Sequence, residues 1–487
     1  MVKQNIKEKS ITKNLIANVI KTLMTVLFPL ITFPYASRIL GASGIGRVNY
    51  ANSIITYFSL LAALGITIYA VREGARIRDD KEMFNKFAQE MLRINLCTTL
   101  ITYVAFIVFL CIPVLKGYKG LLLIFSASIL FTTIGMEWLF VVQEEYAYIT
   151  KRAILFQLVS LVLLFLLVKT KSDDGWYAAL TVISSGGSAI MNLWYSRKFV
   201  DWKKRYQYEY CKHLKPIFLI FGTSIASNIY MTMDTTMLGA MRGDTATGIY
   251  TAAVKINLMV STLIGVISTT ILPRVSYYIG KNLRAEYEKI MKTSMNILLL
   301  ISVPAAIGMM CTSDILILLF SEREFISGSL AAKILSAKVV VAAVNRILAY
   351  QICIPHQKDR EVLISTISGA VFNLAANGIL ISLFGVTGAA IATLCSECVV
   401  FAVLTKYCKN IFETKRMYHR LPLYFFASIG FFAVRWGVNQ VTNSILYQLF
   451  ATMIICFIGY LVILLLMKDP YLQELSNALT NRIHKKG

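Results

Sequence analysis

Charge is scarce in this sequence. Only 15% of its 487 residues are Asp, Glu, Lys or Arg, where a soluble chain carries roughly 25%. Acidic residues are scarcer still, 26 against 49 basic. With 57% hydrophobic residues, this excludes a water-soluble globular domain. Only four histidines occur (His213, His356, His419, His484), and none has zinc-type spacing with cysteine. No metal site is expected. The phosphate-binding pattern G-x-x-x-x-G-K-[ST] is missing, so the chain is not expected to hydrolyse ATP. Cys395-Ser-Glu-Cys398 has the C-x-x-C form but sits in an apolar run without a second pair. It reads as two small hydrophobic residues. No small-residue cleavage site follows the first apolar run, which should therefore stay in the membrane.

What the sequence does hold is fourteen apolar runs of about 20 residues, each long enough for the roughly 30 Å hydrocarbon core of a bilayer. They fall at about 14–35, 50–71, 93–115, 121–142, 152–169, 176–196, 215–237, 249–273, 292–312, 329–352, 362–384, 388–406, 421–440 and 446–467. The runs are continuous rather than alternating, so helices are expected and a barrel is not. Basic residues crowd the termini and every second gap, including Arg72, Arg76, Arg78, Lys203, Lys204, Arg205, Lys281 and Arg284. The other gaps hold only Arg38, Arg47, Lys116, Lys119, Lys169, Lys171, Arg242 and Arg323. This bias predicts cytoplasmic termini, and it accounts for the net charge of +23 without nucleic-acid binding. Outer loops are too short to form a domain. The longest inner loops, about 72–92 and 197–214, are expected at the headgroup surface.

An internal repeat follows from two span junctions. Leu40-Gly41, Gly46, Tyr50-Ala51 and Ile54 match Leu238-Gly239, Gly248, Tyr250, Ala253 and Ile256. The copies are six spans apart, which predicts two six-helix lobes of the same orientation. The expected division is 1–214 for helices 1–6 and a basic loop, 215–420 for helices 7–12, and 421–487 for two further helices and a tail.

Six basic residues lie within the spans: Lys21, Lys255, Lys333, Lys338, Arg346 and Arg435. The acidic ones are Glu137, Asp234 and Glu397. Charge in lipid costs at least about 2.5 kcal/mol, so such groups face a cavity or a partner. Asn14, Asn18, Lys21 and Thr25 form one helical stripe; Thr223, Ser227, Tyr230 and Asp234 form another, and Thr251, Lys255 and Thr262 a third. Snorkelling fits Lys333 and Arg435, and Asp234 and Lys255 could neutralise each other. The surplus of positive groups points to an electropositive cavity suited to an anion such as phosphate.

These features resemble the Wzx-type oligosaccharide flippases of the multidrug/oligosaccharidyl-lipid/polysaccharide exporter superfamily. The carriers are Leu40-Gly-Ala-Ser-Gly-Ile-Gly46, Asp234-Thr-Thr-Met-Leu-Gly239 with Gly248-Ile-Tyr250 and Ala253-Val-Lys255-Ile256, Glu137-Trp-Leu-Phe140 with Glu145 and Ile149-Thr-Lys-Arg152, and Gly385-Val-Thr-Gly-Ala-Ala-Ile-Ala-Thr393 with Glu397. The resemblance implies two lobes around a cavity that opens alternately to either side. It implies transport, not enzymatic turnover, of undecaprenyl-diphosphate-linked oligosaccharide across the bacterial inner (plasma) membrane. Lipid II flippases of the superfamily carry several arginines on their first two helices. Here Lys21 stands alone on the first and Arg47 at the mouth of the second, which favours an O-antigen or surface-polysaccharide unit. In this scheme Lys21, Lys255, Arg346 and Lys338 hold the anionic headgroup. Asp234 and Glu397 gate or couple transport, and Arg38, Arg47 and Arg435 line an outer vestibule. No cofactor is expected. A coupling cation, H+ or Na+, and partners such as a polysaccharide polymerase and chain-length proteins remain open. The alternatives are a multidrug-type cation-coupled exporter, which would want surplus carboxylates, and a membrane polymerase or ligase, which would want an outer acid or base.

Overall fold

The computed structural model describes residues 11–409, 411 and 417–473, without the side chains of 11–19, 22, 23, 25, 26, 266–270, 272 and 273. The side chains of the stripe positions Asn14, Asn18 and Thr25, and that of Lys13, lie outside what is described. The terminal and loop cations Lys3, Lys7, Lys9, Lys415, Arg416, Arg482, Lys485 and Lys486, and His484, lie outside the described residues.

All regular structure among the described residues is helical. The helices are α1 (Ile11–Ala63), α2 (Ile66–Ile77), α3 (Lys81–Leu110), α4 (Lys119–Gly135), α5 (Glu137–Val142), α6 (Tyr146–Leu167), α7 (Asp174–Gly186), α8 (Ala189–Ser196), α9 (Cys211–Gly280), α10 (Arg284–Phe320), α11 (Ser329–Ile347), α12 (Asp359–Cys408), α13 (Leu421–Ile429), α14 (Phe431–Val441) and α15 (Ile445–Leu466). Ten stretches among the described residues are long and apolar enough to cross a membrane. Three of them run to 50 residues or more: Leu27–Ile77, Cys211–Gly265 and Asp359–Cys408. At 1.5 Å per residue each is roughly 75 Å or longer, more than twice the bilayer core. Each therefore has length for two crossings.

Each of the three long stretches bends at a glycine, and Leu27–Ile77 breaks again at Leu64–Gly65, between α1 and α2. Gly41 has φ 69° and ψ −179°, and Gly243 has φ 79° and ψ −171°. Essentially only glycine occupies that region, because a Cβ would clash with the flanking carbonyl. Gly385 marks the third break, with φ 56°. Arg242 donates from Nε to the Ile381 carbonyl at 3.0 Å and also to that of Ser382, satisfying acceptors just before that break. The matched bends correct one detail of the repeat. With Gly46 set on Gly248, Gly41 falls on Gly243, not on Gly239. Gly239 serves packing instead, since a Cβ there would enter the Tyr50 ring.

The chain packs as two compact units, Met1–Gly239 and Ala240–Gly487. In the first, one core gathers Tyr69, Phe84, Phe87, Trp138 and Phe140, with Ile217 from the start of α9. A second holds Tyr50, Ile54, Phe106 and Phe125. The basic connection before α9 is pinned onto α3. Gln89 Nε2 donates to the carbonyls of Asp201 (2.7 Å) and Lys204 (2.9 Å). The Glu209 amide donates to Glu90 Oε1 at 2.7 Å, and Lys204 pairs with Glu82. Glu209 pairs with Lys86 at 2.8 Å and Lys212 at 3.1 Å. These two ammonium groups pull its carboxyl down to about 2. Buried His213 bridges Tyr69 Oη (2.7 Å) and Glu90 Oε2 (3.0 Å), fixing the first turn of α9.

In the second unit α10, α11 and the end of α12 form the core around Met291, Leu298, Ile307 and Ile347. α13 and α15 pack on α10, where Tyr460 donates to the Leu300 carbonyl at 2.9 Å. Along α3, Leu100, Ile101, Val104 and Val108 are all exposed. An apolar face of that kind belongs in hydrocarbon, not water.

Candidate functional site

In the first unit the sequence-predicted Lys21 meets two groups from other helices. α4 ends at Gly135, and Met136 takes a left-handed conformation (φ 39°) before α5 begins at Glu137. The Gly135 carbonyl freed by this break accepts Asn192 Nδ2 at 2.6 Å, and Tyr148 donates to Asn192 Oδ1 at 3.2 Å. Glu137 Oε1 then receives Lys21 Nζ at 2.5 Å, and Oε2 faces Arg152 Nη2 at 3.3 Å. Arg152 also donates to Ser188 Oγ at 2.8 Å and lies near the faces of Tyr148 and Phe140, 5.7 and 6.0 Å from the ring centres. Two cations thus share one carboxylate inside an apolar bundle.

The second unit holds the other basic candidates. Arg346 is exposed at the end of α11, just before a widened π-type turn at Leu348–Cys353. Such turns recur at functional sites. Its guanidinium lies against Gly265, where any side chain would collide with it. Lys338 is half-buried on the same helix, and Lys255 half-buried on α9. Lys255 lies ten residues before Gly265, or about 15 Å along the helix, so it and the Arg346 guanidinium lie at different levels along α9. Among the described residues none of the three has a hydrogen-bonded or ion-paired partner. Glu397 is buried, and Asn345 Nδ2 donates both to its Oε2 (2.8 Å) and to its carbonyl (3.0 Å). Nearby, Asn377 donates to Asn373 at 2.9 Å, and Tyr250 meets Thr393 at 3.2 Å.

The remaining predicted residues have mixed surroundings. Asp234 is buried in the first unit and Arg38 is exposed there. Arg47 is held by Asp174 (3.2 Å) and the Gly117 carbonyl (3.0 Å). Arg435 is mostly buried against Asp314 at 3.3 Å. Sequence reading missed Asp314 because the ninth span was ended at 312, whereas α10 continues to Phe320. It also missed the partnership of Arg152 with Glu137 and of Asn345 with Glu397. The i, i+4 spacings of Asn373/Asn377 and Thr393/Glu397 mark polar positions on α12, while no local pattern marks Asn345 or Arg152.

Long apolar helices broken at glycine, with basic groups set inside them, define a membrane transporter. Its fold matches that of the lipid II flippase MurJ in its inward closed conformation, with a TM-score of 0.76 at 16% identity over 94% of this chain and 99% of that one. The chain belongs to the polysaccharide biosynthesis protein family, whose profile matches residues 11–279, while that of lipid II flippase MurJ matches 189–461. An Escherichia coli (strain K12) protein, provisionally named an O-antigen transporter, is 23% identical over 83% of this chain and 98% of its own length. A Haloferax volcanii protein, provisionally named the low-salt glycan biosynthesis flippase Agl15, is 26% identical over 50% of this chain and 52% of its own.

Proposed function

We propose that the chain flips lipid-linked oligosaccharides across the bacterial plasma membrane, carrying undecaprenyl-diphosphate-linked repeat units from the cytoplasmic to the outer leaflet by alternating access. The observation that carries this reading is the set of basic groups inside apolar helices of both units: Lys21 and Arg152 in the first, Lys255, Lys338 and Arg346 in the second. A diphosphate headgroup offers the charge and acceptor oxygens that such groups bind. The lipid tail needs only to stay in the bilayer. The relatives' names support a glycan cargo.

In this reading the ten long stretches resolve into fourteen crossings. The three bent stretches count twice, and α7 with α8 makes one broken span. Both termini are cytoplasmic. Asp234 and Glu397 are the carboxylates available to a coupling H+ or Na+, and Arg38, Arg47 and Arg435 form the outer vestibule. A polymerase and chain-length proteins would consume the product. The excess of cations over carboxylates inside the spans opposes a cation exporter.

The test is flipping of a short-chain polyprenyl-diphosphate oligosaccharide in proteoliposomes. Wild type should transport it, and Lys21→Ala, Lys255→Ala and Arg346→Ala should each lose most activity while remaining folded. Wild-type rates in all three would leave these charges as structural and overturn the headgroup mechanism.

A further inference from the structure

We propose that Lys21, Glu137 and Arg152 form an exchange site for a diphosphate in the first unit, with the Glu137 carboxylate holding the ligand's place until the ligand displaces it. The proposal rests on the flippase reading and gives Glu137 a role that the basic groups alone do not.

The geometry carries the first part. The two oxygens of Glu137 are divided between two cations from different helices, Lys21 on α1 and Arg152 on α6. Two phosphoryl oxygens of a diphosphate can take the same two positions, with Arg152 supplying the planar fork suited to them. The Arg152 Nε is buried and has no partner among the described residues, so the guanidinium is not saturated by what now surrounds it.

Exposure carries the second part. The Arg152 side chain is 6% exposed, enclosed by Ser188, Tyr148 and Phe140. Lys21 and Glu137 are 36% and 46% exposed, so the site is closed behind and open in front. Glu137 has no polar contact beyond these two cations among the described residues, and it follows directly on the break at Met136. It is the movable member. A buried Arg cannot be left without a counter-charge, because the desolvation penalty would be uncompensated. The carboxylate can therefore leave only as another anion arrives. A diphosphate carries more charge than a carboxylate and displaces it; the carboxylate, returning, helps expel the headgroup. Lys151, and Arg78 of the basic 72–92 loop paired with Glu144, mark this end as cytoplasmic by charge, the side from which such a lipid is supplied.

The test uses the full-length protein in nanodiscs, with undecaprenyl diphosphate, undecaprenyl monophosphate and uncharged undecaprenol as probes. Glu137→Gln keeps the shape and removes the competing charge. It should bind undecaprenyl diphosphate about five- to tenfold more tightly, yet flip substrate more slowly because release is hindered. Arg152→Gln should weaken diphosphate binding about tenfold and erase the preference over monophosphate, and Arg152→Lys should restore part of it. A folded Glu137→Gln protein that binds the diphosphate no more tightly than wild type overturns the exchange site, whether or not Arg152→Gln folds. Wild type that binds neither phosphorylated lipid better than undecaprenol overturns the flippase reading itself, and this proposal with it.

Discussion

Arg346 and Gly265 show how much one missing side chain can decide. The guanidinium occupies the space a Cβ would take. Gly265→Ala would push only the end of a flexible side chain, and Ala in a helix is about 1 kcal/mol better than Gly. Thermal stability in detergent should hold or rise slightly, while flipping falls toward the level of Arg346→Ala. Normal flipping in Gly265→Ala would show that the position of the guanidinium is immaterial. Asn345 poses the opposite case. It donates to the buried Glu397 carboxylate, and its loss strands that group at a cost of about 1–3 kcal/mol. Asn345→Ala should lower the melting temperature, and pairing it with Glu397→Gln should recover part of the loss.

Among the elements, the bends at Gly41 and Gly243 are the most exacting. An alanine in that region of backbone space costs about 1–3 kcal/mol. Gly41→Ala and Gly243→Ala should each lower thermal stability, whereas Ala at helical Gly378, where a Cβ meets nothing within 4 Å, should not. The loop pinned to α3 has a pH signature. Lys86 and Lys212 lower the Glu209 carboxyl from about 4.5 to about 2. A depressed carboxyl contributes fully above its unfolded value and loses that contribution as pH falls through its folded one. Acid proteolysis of the 197–210 loop should therefore accelerate between about pH 4.5 and pH 2, and Glu209→Gln should already be fast at the upper end. These two elements also mark what the sequence discloses. Apolar length and turn glycines are local properties, so the long apolar helices and the junctions around Gly41 and Gly385 could be read directly. Contacts such as Lys21 with Glu137, 116 positions away, leave no local pattern. Arg152 in particular read as a loop cation because its helix was started at 152, whereas α6 starts at Tyr146.

For the whole molecule, the charge pattern makes a prediction about sidedness. In a chain cleared of its native cysteines, a cysteine at Lys171 should react with a membrane-impermeant maleimide in intact cells. One at Lys203 should react only after permeabilisation. The reverse result would invert the orientation and the direction assigned to transport. The division of the chain at Gly239 has a separate consequence, for synthesis. The first unit closes within α9, beyond the loop that separates the sixth and seventh apolar runs, and His213 and Ile217 are part of its packing. At about 5–20 residues per second, the early helices must wait in the bilayer for the opening turns of α9 before their packing is complete. A nascent chain paused in the basic loop would expose the Glu90 carboxylate without its histidine, and a fragment ended there would lack a wall that one ended at Gly239 retains.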